Sequence, residues 1–335
     1  MPKVITMGEL LVDFIPYYKD CKLKDVKKFS RAAGGAPANV AAALARVNVS
    51  SGFIGKVGKD AFGDFLIEVM EDQGVNTSAI VRTSAAMTTL AFVSLTAEGE
   101  RDFAFYRRPG ADMLLEKDDI DVDYLTRADV FHFGTISLTD EPVRSTTYYL
   151  LEKARENGLF ISFDPNIRPP LWNNNLSRLK VQFNKSLPYA DLVKLNLEEL
   201  IELSDREITT RDLSRAKDYK NIIASLKPAC ESLLKRGPDY IVLTAGKKGS
   251  YFFNKNEQLY VSAREVEAVD TTGAGDAFMA GMLAEIIGHI SGETMEDINW
   301  EQVLEKANLF GAIASSRYGA IPSLPTLEEL KSPPI

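Results

Sequence analysis

From about residue 128, short apolar runs alternate with stretches of helical periodicity. The runs are 130–133, 159–163, 192–195 and 240–243, and segments of helical spacing such as 141–156 and 225–236 lie between them. Each run is mostly apolar along its length rather than at every second position, so each strand is covered on both faces. Strands of that kind, joined through helices, make a mainly parallel sheet with helices above and below it, an α/β fold of three layers. Three of the strands end in polar residues: Asp164 in Phe-Asp-Pro-Asn-Ile-Arg, Asn196 with Glu199 in Asn-Leu-Glu-Glu, and Thr244 in Thr-Ala-Gly-Lys-Lys-Gly. Sheets of this type bind ligands at the carboxyl ends of their strands, so the three mark one rim.

A second stretch, 269–281, reads Val-Asp-Thr-Thr-Gly-Ala-Gly-Asp-Ala-Phe-Met-Ala-Gly. Polar and glycine-rich residues give way to an apolar helix face formed by Phe278, Met279, Met282, Leu283, Ile286, Ile287 and Ile290. Gly273 and Gly275 let backbone approach a ligand, and the free N–H groups of a helix start favour an anion such as phosphate. Asp276 stands in that first turn. A lone acid there would only complement the helix dipole. Two glycines, two threonines and Asp270 in the same turn point to a site.

Earlier in the chain, residues 3–14 read as strand with a break at Gly8-Glu9, ending at Asp13. That acid is either the surface end of a strand or a group projecting into a pocket. Gly34-Gly35-Ala36-Pro37-Ala38-Asn39-Val40 opens an alanine-rich helix, with Pro37 suited to its first turn. Asn39 there is a local capping amide or a ligand contact. The run Gly55-Lys56-Val57-Gly58 lacks the spacing and the Ser/Thr of a phosphate-binding P-loop. Residues 87–108 read as a hairpin turning at Ala97-Glu98-Gly99-Glu100. With residues near 10–32 it makes a small sheet that cannot bury two faces alone, hence a lid, a dimer contact through Phe92, Phe103 and Phe105, or both. A second hairpin is expected over 249–261 and a helix over 305–315. Residues 204–225 look like a charged surface excursion. The whole is expected to be one domain of 335 residues with the lid, 10–32 and 87–110, inserted.

Net charge is −8, which argues against general nucleic-acid binding. No apolar run reaches membrane-spanning length and no signal-peptide pattern follows Met1, so the cytoplasm is the expected location. Cys21 and Cys230 form no metal-spaced pair, and His132 and His289 are isolated, which disfavours zinc and His-based triads. His132, between Phe131 and Phe133, reads as a core residue. Hydride transfer is disfavoured too. Phe278 stands where a dinucleotide fingerprint needs its third glycine, and the glycine turn comes late in the chain. A glycine-led helix start beside an acid suits phosphoryl transfer to a hydroxyl, the N–H groups stabilising the moving charge and the carboxylate taking the proton.

These residues carry a family likeness. Gly34-Gly35-Ala36-Pro37-Ala38-Asn39-Val40-Ala41 and Asp270-Thr271-Thr272-Gly273-Ala274-Gly275-Asp276 resemble the two signatures of the ribokinase-like (PfkB) carbohydrate kinases, and the likeness runs along nearly the whole chain. Within that family the chain is similar to fructokinases at Gly8-Glu9-Leu10-Leu11-Val12-Asp13-Phe14, Thr89-Leu90-Ala91-Phe92-Val93, Phe105-Tyr106-Arg107, Ala111-Asp112-Met113-Leu114-Leu115 and Gly319-Ala320-Ile321-Pro322. The resemblance implies a ribokinase-like fold with a β-sheet lid, ATP as co-substrate with Mg²⁺, and a sugar acceptor, D-fructose giving D-fructose 6-phosphate. It implies Asp276 as base and Gly273, Ala274 and Gly275 as the anion hole. Asp13, Gly34, Gly35 and Asn39 would grip sugar hydroxyls, with Tyr106 and Arg107 reaching in from the lid and Arg168 nearby. Asn196 and Glu199 would organise magnesium and phosphate through water. Lys194, Thr244, Gly246 and Gly249 would serve the nucleotide, with Asn308 by the adenine. A monovalent cation, K⁺, would sit near Asp270, Thr272, Ala314, Arg317, Gly319 and Ser323. The alternatives are a kinase for 2-keto-3-deoxygluconate, ribose or a nucleoside, and a non-catalytic sugar- or nucleotide-binding regulator on the same fold. The expected partners are small molecules, with a homodimer through the lid or a monomer with the lid folded down.

Overall fold

The computed structural model describes residues 1–17, 22–95, 101–205, 218–292 and 294–333. Among these residues the large sheet has nine strands, in the order Gln258–Val261, Ser250–Phe253, Tyr240–Thr244, Leu192–Asn196, Phe160–Asp164, Val130–Gly134, Val4–Met7, Ser51–Gly58 and Ile80–Thr83. The seven from Tyr240–Thr244 to Ile80–Thr83 run parallel: β1 (Val4–Met7), β4 (Ser51–Gly58), β5 (Ile80–Thr83), β8 (Val130–Gly134), β9 (Phe160–Asp164), β10 (Leu192–Asn196) and β11 (Tyr240–Thr244). An antiparallel pair, β12 (Ser250–Phe253) and β13 (Gln258–Val261), closes one edge, which is the expected late hairpin.

Alternation along each strand divides two cores. Val4 and Val130 point to a layer with the helices Ala36–Arg46, Ala274–Gly292 and Trp300–Ser315. Ile5, Met7, Phe131 and Phe133 point to the opposite layer, with Val143–Glu156, Leu176–Ser186 and Tyr219–Leu234. There Phe133 stacks on Phe163 with centroids 4.4 Å apart. Strands buried on both faces need this double cover, which makes the three-layer α/β/α architecture that the sequence reading expects. His132 is buried on the first face, its Nδ1 3.0 Å from the Ser162 hydroxyl, and burial pulls its pKa down to about 4. It is a neutral core residue at physiological pH.

The break at Gly8-Glu9 is where the chain leaves one sheet for another. Strand β2 (Leu11–Pro16) joins β3 (Phe29–Gly34), β6 (Leu90–Leu95) and β7 (Arg101–Tyr106) in a four-stranded sheet ordered β3-β2-β6-β7. This is the lid. Phe14 stacks on Phe92 at 4.8 Å and meets Phe62 of the helix Ala61–Asp72 edge-on at 5.8 Å, so the lid rests on the body through aromatic rings. The turn 97–100, the side chain of Phe103, Cys21 and most of the 204–225 excursion (206–217) fall outside the described residues. From Tyr219 on, that excursion is part of the helix Tyr219–Leu234. Among the described residues no helix is long and apolar enough to cross a membrane.

Candidate active site

Sequence order makes β1 the point where the sheet reverses, with β4 on one side and β8 on the other. A crevice opens outside the carboxyl ends of the strands at such a point. Here it is a cleft of ≈ 630 Å³ running from Asp13 and Gly35 under the lid to Thr244 and Gly246 at the far end. Asp276, Gly273 and Gly275 lie along it.

Asp276 occupies the first turn of the helix Ala274–Gly292 and is 6% exposed. Gly273 precedes it at φ 76°, a left-handed turn that aims the helix start at the cleft. Two amides hold the carboxylate: Asn39 Nδ2 donates to Oδ2 at 2.7 Å and Asn166 Nδ2 to Oδ1 at 3.0 Å. Burial raises the Asp276 pKa above the usual carboxylate range. The Asn39 hydrogen bond works against this, Asp164 adds to it, and Lys194 and Arg168 oppose it. An acid so held has a fixed direction and a basicity above that of a free carboxylate, which is what proton abstraction from a hydroxyl requires.

Beside it lies a buried charge cluster. Lys194 Nζ contacts Asp164 Oδ2 at 2.7 Å, with both side chains at most 6% exposed. A Cβ on Gly275 would stand 3.0 Å from Lys194 Nζ, so the ammonium reaches the helix start. Burial opposes the Lys194 charge, but Asp164, Glu199 and Asp276 more than offset it and hold its pKa above the ordinary value. The helix N–H groups and this ammonium together make an anion-binding surface. Asn196 and Glu199 form a capping box on the helix Leu197–Leu203. Glu199 also accepts the Ile167 N–H at 2.8 Å, binding the 164–168 loop to the cleft. Burial, then Asp164, raises the Glu199 pKa against the pull of Lys194 and those two N–H groups.

Not every expected residue borders the cleft. Strand alternation turns Phe105 toward it and leaves Tyr106 outside, 68% exposed and packed on Phe92. Arg107 is buried in an ion pair with Asp112 (2.7 Å) and donates to the Thr139 hydroxyl and the Ile136 carbonyl. It braces the lid rather than reaching into the cleft. Gly34 pairs with Leu11 in the β2–β3 ladder, two positions from Asp13. Gly249 ends the Gly246–Lys248 turn and packs against Val261, and Asn308 donates to the Val261 and Ser262 carbonyls, so these two support the Thr244–Gly246 end of the cleft from behind. Arg168 lines the cleft. Around the turn before Gly273, Asp270 accepts from Thr272 and from the Gly319 N–H. Ala314 is buried in the helix Trp300–Ser315. Arg317 pairs with Glu329 and donates to the Ser323 carbonyl at 3.2 Å, so its cation already occupies that carbonyl. Asn166 is the residue the sequence reading missed. Its signal was an asparagine two positions past a strand end, a type that tolerates the left-handed φ of 44° it adopts.

Residues 1–327 match the family described as pfkB family carbohydrate kinase. The chain belongs to that family. It is therefore an enzyme that phosphorylates a sugar hydroxyl. Among its relatives, probable fructokinase-6, chloroplastic, of Arabidopsis thaliana is 39% identical over 328 residues, covering 98% of this chain and 81% of that protein. A fructokinase from Xylella fastidiosa solved with bound ATP is 33% identical, with a TM-score of 0.83 over 99% of this kinase and 98% of its own chain. A fructokinase from Vibrio cholerae O395 solved with fructose, ADP and calcium is 30% identical, with a TM-score of 0.84 over the same shares.

Proposed function

We propose that this carbohydrate kinase transfers the terminal phosphoryl group of ATP to D-fructose, giving D-fructose 6-phosphate, with Asp276 as base. The observation that carries this reading is the position of Asp276, gripped by Asn39 at the acceptor end and set at the helix start beside Lys194. In the step, the sugar hydroxyl gives its proton to Asp276, its oxygen bonds to the phosphorus, and ADP leaves with the bridging oxygen. The N–H groups around Gly273, Ala274 and Gly275, with Lys194, stabilise the charge in transit. Asp13, Gly35, Asn39 and Arg168 orient the acceptor, Thr244 and Gly246 the nucleotide. The lid closes over the sugar and excludes water.

Magnesium usually keeps several waters and binds through one or two carboxylates plus substrate phosphates. The cleft fits that habit. Among the described residues Asp164 Oδ1 is buried without a hydrogen-bond partner, and Glu199, near enough for the Asp164 charge to raise its pKa, lines the cleft. These two would hold its waters, and the ion, when bound, neutralises phosphate charge. Potassium beside the Asp270 turn belongs to the same proposal. There it competes with Arg317 for the Ser323 carbonyl, and substituting choline for K⁺ in the assay tests it. Tyr106, 68% exposed and packed edge-on against Phe92 beyond the rings that meet the body, supports a homodimer through the lid. A monomer in sedimentation would remove that part.

Coupled ADP release over fructose, ribose, 2-keto-3-deoxygluconate and nucleosides tests the substrate. A clear preference for another acceptor overturns fructose, and no turnover with any of them overturns the catalytic reading.

A further inference from the structure

The acceptor end of the cleft contains a buried acid to which the chemistry above gives no task. Glu9 follows β1 and is 3% exposed in the cleft wall. A buried carboxylate is costly unless hydrogen bonds recover the loss. Glu9 Oε1 accepts the Ala36 N–H at 2.7 Å, and the carboxylate also takes its own backbone N–H. Ala36 opens the helix Ala36–Arg46, whose N-cap residue, Gly35, has no side chain with which to cap it. Glu9 supplies the missing cap from another part of the chain.

The backbone fixes the same junction. Gly35 has φ 115°, and a Cβ there would stand 2.2 Å from the Glu9 carbonyl oxygen. The Glu9 strand end and the glycine turn therefore move together. Asn39 sits in the first turn of that helix with its N–H bonded to the Gly35 carbonyl at 2.9 Å, and its amide holds Asp276. A displacement at Ala36 passes along one rigid helical turn to the base.

The charged groups facing Glu9 are Asp112 and Arg107, themselves ion-paired at the root of the lid. Burial, with Asp112 adding to it, brings the Glu9 pKa up to about 7. Its charged form is thus disfavoured by burial, but the bond to Ala36 needs only an acceptor oxygen, which either protonation state supplies.

We propose that Glu9 is a positioning residue for the acceptor: it fixes the 34–39 turn, and through Asn39 the direction of the Asp276 carboxylate toward the sugar hydroxyl. The inference rests on the reading that this turn grips the sugar and that Asp276 is the base.

The test compares Glu9→Ala with Glu9→Gln, using whichever acceptor the wild type phosphorylates best. A wrong sugar assignment then shows in the wild-type panel and not in the comparison. Glu9→Ala removes the cap and should raise acceptor KM and lower kcat by about tenfold each, the scale of a lost charge-assisted hydrogen bond. Nucleotide KM should stay within about twofold, because the donor end is untouched. Glu9→Gln keeps an oxygen for Ala36 and should return acceptor KM to within about threefold of wild type. If the alanine variant does not fold, Gly35→Ala disturbs the same junction and should give the same split. Wild-type acceptor KM in Glu9→Ala (or, in its place, Gly35→Ala), equal rises in both KM values, or a glutamine variant as poor as the alanine one would overturn the proposal.

Discussion

Replacing Asp276 with asparagine separates the chemistry from the architecture. The carboxylate accepts one amide on each oxygen, from Asn39 and from Asn166. An asparagine side chain has one acceptor oxygen and one NH₂ group. It can satisfy only one of the two amides, and the other meets a donor. The lost bond costs about 1–3 kcal/mol. It is partly offset because the variant no longer buries a charge that burial already disfavours. The fold therefore survives. The chemical step does not, because loss of a general base lowers kcat by about 10²–10⁴-fold, or about 2.7–5.4 kcal/mol of barrier. Lys194, Asn196 and Thr244 remain, so nucleotide affinity should be near wild type. The assay is coupled ADP release for kcat, with calorimetry for nucleotide binding. Turnover within about fivefold of wild type, in a preparation free of wild-type enzyme, would refute Asp276 as the base.

Other perturbations follow from the same contacts. Asp276 must be ionised to act and its pKa is raised, so kcat should fall with decreasing pH through a limb above the ordinary carboxylate range. Asn39→Ala removes a bond that favours the ionised form and should move that limb to higher pH in a pH–rate profile. Lys194→Met leaves Asp164, Glu199 and Asp276 without their buried cation and should destabilise the fold by about 3–5 kcal/mol in urea unfolding, with part recovered by adding Asp164→Asn. Glu9 has a folded pKa of about 7 against an ordinary 4.5, so the native state holds its proton more tightly. Its stabilising share is present below pH 4.5 and lost as pH rises through 7, on the order of 3 kcal/mol. Denaturation at pH 5 and pH 8 should therefore show a smaller decline for Glu9→Gln than for wild type.

The strands of the large sheet were legible because burial on both faces leaves them apolar at successive positions, as in Val130–Gly134 and Tyr240–Thr244. The break at Gly8-Glu9 was legible as a break. That residues 10–32 join the 87–108 hairpin in a small sheet was legible too, but the strand order within it was not, since it depends on the pairing of β2 with β3 on one side and β6 on the other. The phase of β7 was equally hidden. Phe105 and Tyr106 alternate faces, and only the docked lid decides which one meets the cleft. Local sequence places Asn196 and Glu199 as readily in a capping box as in a phosphate site. The structure shows the capping box, with Glu199 reaching on to Ile167. Lys194 had a physical signal of its own, since a lysine inside a strand covered on both faces must find an acid.

Asp276 is where two lines of support converge, and this bears on how such a kinase avoids wasting nucleotide. From the acceptor end, Glu9 holds Ala36, and the helix begun there carries Asn39 to Oδ2. From the donor end, Glu199 holds Ile167, whose loop carries Asn166 to Oδ1. The two lines meet at the carboxylate. A base aimed by only one of them is free to rotate about its side-chain torsions, and misaligned proton acceptors lose rate steeply. Joint support therefore makes the orientation of the base depend on order at both ends of the cleft. On the proposed reading, with Asp276 as base and the 34–39 turn holding the sugar, that dependence favours the sugar hydroxyl over a stray water, which makes no contact able to order the acceptor side.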